Sequence, residues 1–416
     1  MKKIIINGII LLFTSGLFAQ PLSLPAILDS IRANNPMLKM YEAEARSMDE
    51  AAKGAYSWMP PELSGGFLMM PYNPDRWSKS EEGMPGMGSF MVSAQQMFPN
   101  RKRQNAEATY MEAMSSVPLE NRKATRNQLF AEAKRNYYEW LIIQKKLRVL
   151  ADNEQILEFM LQSAELRYRN GLEKISAYYK AKAALGSLEN QQLMLESESE
   201  QKRFLINTLM NRNKLAPLPL DTTYTLRDYS NRNFTDTSFT ANRSDLRAID
   251  RSILVNQLKE KAEEAKLLPE FGIRYDNMFA FGGQPMQFSL MGMVRIPFAS
   301  WSSKMTKANV QSIRWQNEVL AQQKQAALNE AAGMAYGMQS EMTYQRKQLN
   351  VLESNIIPAL RRNFQTTQLA YEQNTETLFM LFDAWETLNM TQLDYLDKLQ
   401  KLLLLQTQLE AILEIR

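Results

Sequence analysis

Apolar residues recur every seven positions along most of this chain, and two short regions break that pattern with strict apolar–polar alternation. The heptad rows run through Ile143, Leu150, Leu157 and Ala164 and through Leu147, Leu161 and Tyr168, with Glu154 interrupting the second row. A C-terminal row runs through Leu381, Leu388, Tyr395, Leu402 and Leu409, beside Ala384, Leu405 and Ile412. Seven-residue spacing predicts helices that pack pairwise as coiled coils. The stretch from Arg101 to about Tyr168, interrupted near Pro118, would extend on the order of 100 Å if it were one straight helix.

The alternating segments read as strands. In 271–279, Phe271, Ile273, Tyr275 and Phe279 fall on one face, and Gly272, Arg274, Asp276 and Met278 on the other. In 287–296, Phe288, Leu290, Val294 and Ile296 oppose Gln287, Ser289, Met291, Met293 and Arg295. Residues 89–98 repeat the pattern with Phe90, Val92, Ala94 and Phe98, and a first segment does so less cleanly with Leu63, Phe67 and Met69. About 10 alternating residues match a tilted transmembrane strand, apolar to lipid and polar to a lumen. Aromatic residues mark the ends, with Trp58, Phe98, Phe298 and Trp301 on one side and Tyr72, Trp77, Phe279 and Phe281 on the other, as in two interfacial girdles. A soluble sheet with one buried face alternates identically, but it would need a cover for its open edges.

The helix–strand–strand–helix–turn–helix order occurs twice. Leu166-Arg167-Tyr168-Arg169-Asn170-Gly171 is echoed by Leu369-Ala370-Tyr371-Glu372-Gln373-Asn374, and the tyrosines stand 371 − 168 = 203 positions apart. Pro60-Pro61-Glu62 and Pro269-Glu270 precede the first strand of each repeat, and Pro99 and Pro297 close the second. The predicted organisation is a first repeat over 20–215 (strands about 62–71 and 88–98), a linker over 216–241, and a second repeat over 242–416 (strands about 270–281 and 287–297). Four strands do not close a barrel alone, since the smallest bacterial barrels have about eight, so closure requires copies of the chain.

Residues 1–19 read as a secretory signal peptide: Lys2 and Lys3, an apolar run from Ile4 to Phe13, and a small-residue end at Ala19. No later stretch is long and apolar enough for a membrane-spanning helix, so a membrane-spanning form would have to use strands. The chain has no Cys and no His, which removes disulfides, a lipidated cysteine, zinc sites and imidazole acid–base chemistry. No spacing of carboxylates, serines or lysines singles out an active site; the chain is read as a non-enzyme with no cofactor and no fixed metal site. The net charge of +4 is too slight to indicate nucleic acid.

With the duplicated turns at Tyr168–Gly171 and Tyr371–Asn374, Asn242-Arg243-Ser244-Asp245-Leu246 at the head of the second repeat and Ile357-Pro358-Ala359 before the second turn, the chain resembles the TolC family of outer-membrane efflux factors. The resemblance implies a mainly α protein with a membrane β part. Four strands per protomer would close a trimeric 12-stranded β-barrel, continued by a long periplasmic α-helical barrel. It implies a homotrimer in the outer membrane of a Gram-negative-type cell, working with a periplasmic membrane-fusion adaptor and an inner-membrane pump as a passive exit duct. It also implies that the turns Asn170-Gly171-Leu172 and Gln373-Asn374-Thr375 dock the adaptor. Asn374 stands where the family has Gly, a substitution the left-handed conformation tolerates. Glu376 and Asp383 are candidates for a periplasmic gate, since three copies of a carboxylate on one axis attract cations; a solvated helix surface is the plainer alternative.

The pore-lining candidates are Met91, Met97, Arg274, Asp276, Met278, Met291 and Met293, and Met84 and Met87 fall in an outer loop. Methionine is abundant, at 26 residues. Thioethers suit Cu(I) and Ag(I), pointing to a soft-metal branch similar to CusC, but they are also flexible packing groups. The substrate therefore stays open between soft metal ions and amphiphilic small molecules.

Overall fold

The computed structural model describes residues 22–219 and 221–415. The expected signal peptide lies outside them. In the first repeat, α1 (Leu24–Asn34) and α2 (Pro36–Ala52) precede β1 (Glu62–Leu68) and β2 (Ser89–Phe98), and then come α3 (Arg101–Met114), α4 (Ser116–Arg169) and α5 (Ile175–Leu209). In the second, α6 (Asp236–Asn242) and α7 (Ser244–Ala265) lead to β3 (Glu270–Ala280) and β4 (Gln287–Arg295), α8 (Lys304–Val351), α9 (Ile357–Glu372) and α10 (Leu378–Ile412).

Two compact units cut across the repeats, each drawing on both. One contains 39–125 and 235–332, and so the whole sheet; the other contains the chain up to Leu38, 126–234 and 333 onward.

In the sheet-bearing unit the strands form one antiparallel sheet in the order β1-β2-β3-β4. The first strand is shorter than its expected 62–71 because Met69 adopts φ 54°, which ends the ladder one residue after Leu68, and Pro71 has no N–H to resume it. The last strand stops at Arg295, short of the expected 297, where Pro297 likewise lacks a donor. In the same unit, Glu120 at the start of α4 accepts from Lys123 at 2.7 Å and from Arg247 of α7 at 3.0 Å. Burial alone would push its carboxyl up, but these two hydrogen bonds hold it below its ordinary value.

In the other unit, the row Ile143, Leu150, Leu157 and Ala164 is buried against Leu188 and Leu195 of α5 and Leu378, Leu381, Ala384 and Leu388 of α10. Each large aliphatic side chain so buried contributes roughly 1.5–3 kcal/mol. Trp385 donates to Asn153 at 2.7 Å inside this core, giving the indole its polar partner. The second predicted row fares differently, since Tyr168 is exposed.

Between α8 and α9 the helix widens to one π turn, Leu352–Ile356. Pro358 is the cause, because it has no N–H for the carbonyl of Ser354 and its ring crowds that carbonyl. The extra residue shows in the packing, where Leu349 and Leu352 are followed after five positions by Ile357, then Leu360 and Phe364.

The expected linker 216–241 ends in α6, whose first turn is fixed by a capping box between Thr235 and Ser238. The preceding segment straps across helices of its own unit. Tyr137 donates to the carbonyl of Asp221, Tyr229 donates to Glu410 at 3.0 Å, and Gln339 donates to the carbonyls of Tyr229 at 2.6 Å and Arg232 at 2.8 Å. Burial, with Asp221 and Tyr138 nearby, pushes the Tyr137 hydroxyl up to about 12.

Candidate functional site

Strand pairing decides which side chains share a face. Leu63 opposes Ala94 and Phe67 opposes Phe90, Phe90 and Ala94 oppose Phe279 and Tyr275, and Tyr275 opposes Leu290. One face is therefore largely apolar, interrupted by Gln96 and Asn277, and Leu63, Phe67, Phe271, Tyr275, Phe288, Leu290 and Val294 on it are all exposed.

The opposite face carries all seven pore-lining candidates. Met91 pairs directly with Met278, and Arg274 stands between Gln95 and Met291. Met97 and Met293 both oppose Gly272. A Cβ added there would lie 2.4 Å from the Met97 sulfur and 3.2 Å from the Met293 methyl, so the glycine makes room for two thioethers. Asp276, only 2% exposed, accepts from Arg274 at 2.8 Å and from Ser289 at 3.0 Å, so its charge is paired and hydrogen-bonded.

The sequence reading missed the polar contacts at the strand bases. Glu270 accepts from Arg103 of α3 and, at 3.1 Å, from Arg295, while Glu62 accepts from Gln95 at 2.5 Å. Alternation put Arg274 and Arg295 on one face; the partner on α3 was beyond any local pattern.

The two helix–helix turns belong to the other unit. Both close with the same six-residue bond: Leu172 donates to the Arg167 carbonyl at 2.9 Å and Thr375 to the Ala370 carbonyl at 2.9 Å. The left-handed residue of this Schellman arrangement is Gly171 (φ 72°) in one turn and Asn374 (φ 60°) in the other. Asn170, Gly171, Leu172, Gln373, Asn374 and Thr375 are all exposed, as are Glu376 and Asp383.

Arg167 ties the turns together. Its guanidinium lies 3.9 Å from the centre of the Tyr371 ring and donates to the Tyr371 carbonyl at 2.5 Å. Burial raises the hydroxyl pKa of Tyr371 although Arg167 opposes this. Lys180 sits over both Phe379 (4.1 Å) and Phe382 (4.2 Å). A cleft of about 200 Å³ between α4, α9 and α10 is lined by Ile156, Phe159, Met160, Phe364 and Leu381, with Asp152, Gln155 and Gln368.

A duplicated sheet hairpin with one bare apolar face, joined in each repeat to long helices that reverse on Schellman turns, is the fold of the TolC-like outer-membrane channel structures. Solved structures agree. The outer membrane protein VceC from Vibrio cholerae superposes with a TM-score of 0.73 at 15% identity over 95% of this chain and 96% of its own. The open-state MtrE outer membrane channel of Neisseria gonorrhoeae gives 0.71 at 14% over 94% and 89%, and CusC gives 0.72 at 13% over 94% and 91%. Residues 27–212 match the family described as outer membrane efflux protein. No curated protein matches it.

Proposed function

We propose that three copies of this chain close their sheets into one twelve-stranded barrel in the outer membrane, forming the passive exit duct of a tripartite efflux system. One observation carries the reading: the sheet's apolar face is exposed along all four strands while the other face holds its charged and thioether groups. Lipid is the solvent that such a face requires, and a closed barrel is the form that leaves no strand edge in it. In this reading Met91, Met97, Arg274, Asp276, Met278, Met291 and Met293 line the lumen. The turns at 170–172 and 373–375 receive the periplasmic adaptor, which connects to an inner-membrane pump, and Glu376 and Asp383 ring the periplasmic opening.

For cargo, the convergence of Met97 and Met293 over Gly272 and the pairing of Met91 with Met278 favour soft ions such as Cu(I) and Ag(I). The second reading, amphiphilic small molecules, is favoured by the width of lumen that twelve strands leave. The test is the sensitivity of a deletion strain to copper and silver beside dyes and detergents. Complementation would use wild type and a variant with Met91, Met291 and Met293 changed to Leu. Metal tolerance restored by wild type but not by the Leu variant supports the soft-ion route. Dye tolerance restored equally by both supports a general duct, and no restoration of either by wild type rejects the efflux role.

A further inference from the structure

The charges on the sheet's polar face do not balance strand by strand. Asp276 is matched by Arg274, and Glu270, 3% exposed, is shared by two cations, Arg103 and Arg295. Glu62 is the carboxylate of this face with no Lys or Arg within ion-pair distance among the described residues; its partner is the neutral amide of Gln95. The surplus anion therefore sits on β1 and the surplus cation on β4, the two unpaired edges of the sheet. Both residues lie at the same end, Glu62 as the first residue of β1 and Arg295 as the last of β4, with the Arg295 side chain 56% exposed.

The stagger within the sheet says how two such edges would meet. The row that begins at Glu62 crosses Gln95 and Arg274 and arrives at Met291, four residues before Arg295. Polar-face residues must oppose polar-face residues, because a one-residue slip would turn every apolar side chain inward. Continuing the same climb onto β1 of a second copy sets Met291 opposite Gly66 or Leu68, and hence Arg295 opposite Glu62 or Ser64. In either register Glu62 is directly across from Arg295 or on its diagonal, within reach of a long side chain.

We propose that Glu62 of one copy and Arg295 of the next form an ion pair across each seam between sheets, completing the charge balance of the polar face and setting the register in which copies join. This rests on the barrel proposed above and specifies its seam. Because the pair completes a shared cluster of Glu62, Arg295, Glu270 and Arg103, it discriminates against slipped registers, which would leave Glu62 uncompensated.

The chain contains no cysteine, so the full-length protein in native outer membranes can be tested with introduced pairs. With a short bismaleimide, E62C/R295C is expected to yield covalently linked dimers and trimers, whereas L63C/R295C, with one residue on the lipid-side face, is not. In a double-mutant cycle, E62Q and R295Q are each expected to lower the multimer's resistance to dissociation by detergent about five-fold per seam, the upper end of cross-strand charge pairs. The E62Q/R295Q variant should be no weaker than R295Q alone. If wild type is a multimer but E62C/R295C does not link, or if the two Gln losses add, the seam pair is overturned while the duct survives. If wild type is monomeric in the membrane, the duct reading fails with it.

Discussion

The two repeats keep the same backbone scheme and spend their side chains differently. Leu172 to Arg167 and Thr375 to Ala370 are the same hydrogen bond 203 positions apart, yet the equivalent tyrosines part company: Tyr168 is 46% exposed and Tyr371 1% exposed. The residue that covers Tyr371 is Arg167, whose own counterpart is Ala370, so the contact runs in one direction. The base of the sheet shows the same divergence. Glu62 and Glu270 follow equivalent prolines, but the first has an amide partner and the second has two guanidinium partners. Duplication thus preserves what main-chain hydrogen bonding demands, while side-chain contacts are free to specialise once two copies face each other instead of themselves.

The strongest way to break this equivalence is at the first polar-face position of each hairpin after its glutamate. Gly272→Val would drive its side chain into the Gln96 carbonyl and the Met97 sulfur, and should cost about 1–3 kcal/mol. Its repeat equivalent Ser64→Val, at an exposed position, should change stability by less than about 0.5 kcal/mol. Urea unfolding of the detergent-solubilised protein compares them, and equal losses would refute the asymmetry.

Arg167→Ala should come next, at roughly 1–2 kcal/mol, from a lost cation–π contact and a charge-assisted hydrogen bond. Hydrogen exchange should show faster amides at Gln373 to Thr375 and little change in the sheet. Unchanged exchange in that turn would mean the contact is incidental.

Gly171→Ala is expected to cost about 1 kcal/mol because φ 72° is unfavourable for a Cβ. Asn374→Gly should be close to neutral, since Asn already accepts φ 60°. The pair measures how far the second turn has moved from the first, with thermal unfolding as the readout.

Glu120 joins the repeats through Arg247, and its carboxyl lies below the ordinary 4.5 when folded. The unfolded chain binds that proton more tightly, so the pair's stabilisation is complete above about pH 4.5 and is lost as pH falls through the lower folded value. Glu120→Gln should therefore be less stable than wild type near neutral pH and converge on it in acid. A constant gap across that range would exclude the ionic contribution.

The heptad rows and the strand alternation were legible because periods of seven and two residues are written locally, and the repeat because the same short motifs recur 203 positions apart. The left-handed Asn374 was readable for the same reason. The end of β1 at Met69 was not, since only the backbone conformation at that residue stops the ladder. The π turn had a trace in the five-residue gap from Leu352 to Ile357, although Pro358 alone did not say whether the helix would kink, end or widen.

The sequence by itself therefore determined the elements, their duplication and the two chemically distinct faces of the sheet, all consequences of short-range periodicity and backbone preference. Only the tertiary structure decided that Arg103 and Arg295 share Glu270, that Arg167 covers Tyr371 and that Met97 meets Met293 over Gly272. Those contacts join residues of different elements, where strand register and helix packing set which side chains come within reach, and no local pattern of the chain encodes that distance.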